Sequence, residues 1–113
     1  MSLNKLIIDT LNPIGIPVAF LAYSGTATTY ITFFQYNEMG EVFAEDSEQE
    51  TRHSIQIDVW SKGNYVDVVK QVKKLLKEIG FLRVNVHEFY EDDTKIFHKV
   101  LQFYYDDQSE NNL

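Results

Sequence analysis

At 113 residues the chain is sized for one domain with a single hydrophobic core, and with no cysteine it can form neither disulfides nor thiolate metal sites. Its 17 acidic against 10 basic side chains, a formal charge of -7, argue against adhesion to nucleic acid through phosphate neutralisation. No segment approaches the ~18 uncharged apolar residues of a membrane helix, and Asp9 interrupts the N-terminal stretch where a secretory signal would be purely apolar, so the expectation is a soluble chain made in a reducing cytoplasm.

In chain order, Ser2 is placed to cap a helix ending near residue 12, with Leu3, Leu6, Ile7 and Leu11 as its apolar face and Pro13 and Gly15 ending it. Residues 16–23 are apolar but contain Pro17, which fits either an edge segment or an extended connection into the Ser24-Gly25 turn. Residues 29–36, TYITFFQY, are dense in aromatic and β-branched side chains and read as a strand. Residues 37–50 hold Gly40 and six acids, Glu38, Glu41, Glu45, Asp46, Glu48 and Glu50, and read as a long exposed connection between two strands. A compact hairpin needs less, which marks this stretch as functional or disordered.

The hydrophobic period then changes abruptly. Ile55, Ile57 and Val59 alternate with Gln56, Asp58 and Trp60, so one face of a strand is aliphatic and the other polar and aromatic. After a Ser-Lys-Gly-Asn turn, Tyr65, Val68, Val69, Val72, Leu75, Leu76 and Ile79 recur at three- and four-residue steps, the stripe of an amphipathic helix. Lys70, Lys73, Lys74, Lys77 and Glu78 lie mostly off that stripe. Gly80 sits at the C-cap position, residues 81–89 form a strand, Glu91 to Thr94 a polar turn, and residues 96–105 the second strand of a terminal hairpin, with Phe97, Leu101, Phe103 and Tyr105. The acidic residues 106–113 read as a frayed tail.

The order helix, strand, strand, helix, strand, strand defines a single α+β domain over residues 1–105, a mainly antiparallel four-stranded sheet with two helices on one face. Tyr30, Phe34, Tyr36, Trp60, Phe89, Tyr104 and Tyr105 are divided between the sheet's two faces, and aromatic residues make up 14% of the chain. They exceed what one small core needs to hold, which points to burial against another subunit.

Catalytic signals are sparse. His53, His87 and His98 each lie in a predicted strand with no acid or histidine at metal-ligand spacing, and read as histidines satisfied within a sheet. Asp106 with Asp107, and Glu91 to Asp93, are carboxylate groups in a tail and a solvated turn, whereas acid–base work needs a convergent pair with separated pKa values. No phosphate cradle, nucleophile elbow or D-x-D-x-D-G calcium loop is present. The expectation is a non-enzymatic chain without cofactor or metal. The six acids of residues 37–50 are either a solubilising connection or a negative surface that lets DNA pass without sticking or meets a neighbouring subunit. Lys70, Lys73, Lys74 and Lys77 are either a solvated helix face or a cationic surface for the acidic patches of an identical neighbour.

The run Ile55-Gln56-Ile57-Asp58-Val59-Trp60-Ser61, followed by Tyr65 and a Val- and Leu-rich helix, resembles the tail-completion proteins of long-tailed bacteriophages and prophages, also called tail-terminator or head-tail joining proteins. The upstream helix and TYITFFQY also look like that family's opening, although Thr29-Tyr30-Ile31 stands where the family has a Pro-Tyr-Ile type motif. The resemblance implies a structural virion protein, made in a bacterial host's cytoplasm, that closes the tail tube as a homo-oligomeric ring, commonly of six subunits. Its partners would be the tail tube protein and the head connector, with no specific nucleic-acid or membrane binding. It brings no catalytic residues, and it would turn the acidic loop toward the ring's channel or the tube-side neighbour. Gln56, Asp58 and Trp60, on the strand face away from the core, are then expected subunit contacts. The alternative is a small intracellular module whose exposed sheet face binds a protein or small ligand.

Overall fold

The computed structural model describes the backbone of residues 2–42 and 48–107 and the side chains of residues 2–37 and 51–107. Helix α1, Leu3–Leu11, starts as the sequence predicts: Ser2 Oγ accepts the Lys5 N–H at 3.0 Å. A 3-10 turn, Asn12–Ile14, and the left-handed Gly15 then end the helical segment. The chain continues through β1 (Val18–Phe20), β2 (Thr29–Val42), β3 (Glu48–Ser61), α2 (Val66–Glu78), β4 (Leu82–Glu91) and β5 (Ile96–Asp107).

The sheet has five strands in the order β1-β2-β3-β5-β4, and it is mixed rather than four-stranded and antiparallel. The added member is β1, which pairs parallel to β2 with Val18 opposite Ile31 and Phe20 opposite Phe33. It resolves residues 16–23 as an edge strand, with Pro17 just before its first residue, where a missing N–H costs no ladder bond. Parallel neighbours usually require a crossover of a dozen or more residues. Here residues 21–28 suffice, because β1 is only three residues long and Leu21, at φ 67°, turns the chain at once.

The second difference concerns the acidic stretch. The β2–β3 ladder does not end near residue 37 but continues through Glu38 opposite His53, Glu41 opposite Glu50 and Val42 opposite Glu48. What reads as a connection is therefore an antiparallel ribbon, and Glu45 and Asp46 lie outside the described residues. A shift between Gln35 and Asn37 leaves Tyr36 bulged, the device by which a strand gains local twist. At the other end, β5 runs through Asp106 and Asp107, two residues into the segment expected to fray, and residues 108–113 lie outside the description.

Both helices pack on one face of the sheet. Ile7 and Leu11 of α1 and Val72 and Leu76 of α2 meet Ile31, Phe33, Ile55, Ile57, Leu101 and Phe103 in one buried cluster. Helix α2 ends in a Schellman motif: Gly80, at φ 100°, donates to the Lys77 carbonyl at 3.0 Å, and Phe81 donates to Leu76 at 2.9 Å. Phe81 is thereby delivered into the core, where its ring sits 4.6 Å from Tyr105. The molecule measures 53 × 23 × 23 Å with a radius of gyration of 15.2 Å, against about 13 Å for a compact domain of this length. A 14-residue strand alone spans about 45 Å, so β2 and β3 set the long axis.

Candidate functional site

The helix-free face of the sheet carries a connected polar network. At its centre Asp58, only 4% exposed, lies on β3. Its Oδ1 accepts from Gln56 Nε2 at 2.9 Å and faces His98 Nε2 at 2.8 Å, where the N–H form of that nitrogen completes the bond. Gln102 extends the chain by donating to Gln56 at 3.1 Å, and Asn85 donates to Gln102 at 3.3 Å. Trp60 lies flat on His98, ring centroids 3.6 Å apart and planes 12° from parallel, and its indole N–H donates to Thr32 Oγ1 at 2.9 Å. Tyr30 stacks on Trp60, and Tyr23 packs tilted against Tyr30. Phe89 flanks His98 and remains 54% exposed.

This arrangement redistributes the roles expected of Gln56, Asp58 and Trp60. All three lie on the face opposite the aliphatic core, as the alternation predicts, but Asp58 is sealed inside the network rather than offered to a partner. A buried carboxylate is tolerable only when paired and hydrogen-bonded, and here it fixes the imidazole that supports the Trp60 ring. The outward surface is consequently aromatic. Toward the ribbon the same face continues with Arg52, which grips both oxygens of Asp106 at 2.8 Å and lies 4.6 Å from the Tyr104 ring centre. The Arg52 guanidinium holds the Asp106 carboxyl below its ordinary pKa.

Around the molecule, α2 and β4 frame a groove of about 590 Å³. Lys70, Lys73, Lys74 and Lys77 line its helix side, Arg83 its strand side, and Phe81, Leu82 and Phe103 its remaining walls. Burial, then the nearby Arg83 and Lys99 charges, lower the Lys73 pKa. The four lysines named from sequence thus do converge, joined by Arg83, which the periodicity of α2 gave no means of finding. At the opposite end of α2, the Tyr65 hydroxyl donates to Glu88; burial first, then this bond, push the Tyr65 pKa up to about 12. Glu88 is lowered by that bond and by Lys99 at 3.3 Å.

Glu38, Glu41, Glu48 and Glu50 occupy register positions on the β2–β3 ribbon, whose strands lie three and two places from β4 in the sheet order. The acidic ribbon and the basic groove are therefore built from different strands of the sheet. His98 is a histidine satisfied within the sheet, as read from the sequence, by a partner 40 positions away along the chain; Thr32, whose partner lies 28 positions away, had no role in that reading. His53 pairs with Gln35 at 2.7 Å, and His87 is exposed on β4. Among the described residues no group of three or more histidine, aspartate or glutamate side chains is placed to share a metal ion, and no helix is long and apolar enough to cross a membrane.

No protein-family model matches this chain, and no curated protein matches it in sequence. Among solved structures, a chain described as belonging to the virion of a native gene transfer agent (GTA) particle has a similar fold. The TM-score is 0.63 at 13% identity, and the match covers 91% of this chain and 92% of that one. At that identity the likeness is one of fold, and it spans nearly the whole of both chains.

Proposed function

We propose that this chain is a non-enzymatic structural subunit of a phage-like particle, assembled as a homo-oligomeric ring that closes the tail tube or joins it to the head connector. The observation that carries the reading is the near end-to-end fold likeness to a chain of a GTA virion, 91% and 92% of the two lengths. The strand-to-helix pattern of residues 54–79, which resembles tail-completion proteins, points the same way independently of fold comparison.

The surface supports a subunit role. Phe89, Tyr90, Leu82 and Val84 leave the outer strand β4 with large exposed side chains, and an edge strand with free backbone groups is a template for pairing unless it is covered. The aromatic open face supplies a second surface, fixed in shape by the Asp58–His98 pair beneath it. Rigid aromatic groups bind with little loss of side-chain entropy, which suits a permanent interface. The partners would be further copies of the chain, the tail tube protein and the head connector, within the virion and without specific nucleic-acid or membrane binding. The net charge of -7 would keep the ring from retaining DNA in transit.

The test is removal of the chain from an assembling particle. Heads and tails that accumulate unjoined, or tails with open ends, are the expected outcome, with restoration by the purified chain. Particles that assemble and deliver DNA normally without it would contradict the proposal.

A further inference from the structure

Resting on the ring reading above, we infer that the cationic groove between α2 and β4 seats the acidic β2–β3 ribbon of a second copy of this chain. The groove presents Lys70, Lys74, Lys77 and Arg83, and none of these makes an ion pair among the described residues. Four cations with no ion-pair partner among the described residues repel one another around a concave surface and favour an anionic occupant. Leu82 in its wall, 60% exposed, adds apolar surface. The occupant is thus an acidic segment that also carries apolar residues, rather than a small anion.

The ribbon has that composition. Over residues 37–42 and 48–51 it holds Glu38, Glu41, Glu48 and Glu50 beside Met39 and Val42, with no lysine or arginine. Its register sets Glu41 directly opposite Glu50, and like charges at opposed positions of an antiparallel pair are unfavourable until a cation relieves them. The ribbon is an extension of β2 and β3, whereas the groove lies beyond β5 on the far edge strand β4. Two different, complementary surfaces on one subunit make a head-to-tail contact, the kind that closes into a ring when the rotation permits. Seating the ribbon beside β4 would also cover that edge strand, which solves the edge problem with the same contact.

The absence of native cysteine makes the test clean. A Glu50→Cys, Lys74→Cys chain, mildly oxidised both free in solution across a concentration series and bound to isolated tail tubes, is expected to give disulfide-linked multimers on a denaturing gel, while either single variant gives at most dimers. In parallel, Lys74→Glu with Lys77→Glu, both at exposed positions, is expected to weaken self-association ~10-fold or more, as is Glu41→Lys with Glu50→Lys, and the four changes together to recover much of the loss. Circular dichroism confirms that each variant folds. Rings that form on tubes or in solution without cross-links, and without sensitivity to either charge reversal, would overturn the groove contact and leave the ring reading standing. A chain that forms no ring in either setting would overturn both. If a duplex DNA probe binds the wild-type chain, the lysine variants lose that binding and self-association is unchanged, the groove is a nucleic-acid surface and the ribbon contact is wrong.

Discussion

Asp58 and His98 illustrate how the β3–β5 register makes a site from residues that look isolated along the chain. Trp60 is the direct cross-strand partner of His98, and Asp58 lies two residues away on the same face, a diagonal neighbour within side-chain reach. The alternation of Ile55, Ile57 and Val59 with Gln56, Asp58 and Trp60 was enough to place the carboxylate away from the aliphatic core. Its burial was not legible, because that depends on which residues β5 sets beside it. Asp58→Ala would leave the imidazole N–H and the Gln56 amide without their acceptor in a sealed position, and the expected loss is about 1–3 kcal/mol by chemical denaturation. Trp60 fluorescence should shift in the same variant as its supporting ring loosens. Arg52 and Asp106 give a pH-dependent prediction. The folded-state pKa of Asp106 is lowered, so the unfolded chain binds more protons in the acid range; the stabilisation is complete above the ordinary carboxylate pKa and is lost as pH falls through the lowered one. Asp106→Asn should therefore cost stability at neutral pH, by about 1 kcal/mol or less for a pair this exposed, and the difference from wild type should shrink as pH falls below the ordinary carboxylate range and vanish only below the lowered Asp106 pKa. A gap that widens on acidification would assign the pair the wrong sign.

At the scale of elements, the strand-to-helix switch from β3 into α2 was readable because hydrophobic burial imposes its period on the sequence. Gly80 was readable for a different reason: a left-handed C′ position selects glycine whatever surrounds it. Gly80→Ala is expected to destabilise the domain by about 1 kcal/mol, since the residue sits at φ 100°, and thermal unfolding measures it. The acidic ribbon escaped the same reasoning. Its strands are specified by backbone pairing rather than by an apolar face, so no alternation of Glu38 through Glu50 signals them. The three residues of β1 escaped because so short an edge strand has no period to detect. The ribbon carries its own prediction. Replacing Glu41 and Glu50 with threonine removes opposed like charges and adds β-branched residues, so the free subunit should gain up to about 1 kcal/mol while self-association weakens. Stability gained at the expense of assembly is the signature of residues kept for a contact rather than for the fold.

For the whole molecule, one helical layer covers one face of a five-stranded sheet and leaves an aromatic face, a long edge strand and two oppositely charged surfaces. On the reading proposed above, other subunits cover these surfaces. The general α+β architecture and the surplus of aromatic side chains were legible from composition and pattern, but the placement of the acidic ribbon and the basic groove on different strands required the strand order. The most direct test of the central claim is electron microscopy of tagged chain mixed with isolated tail tubes. A ring of label at one end of each tube, with none along the tube wall, is the predicted result. Tubes that remain unlabelled at both ends, or that are decorated along their length, would contradict it.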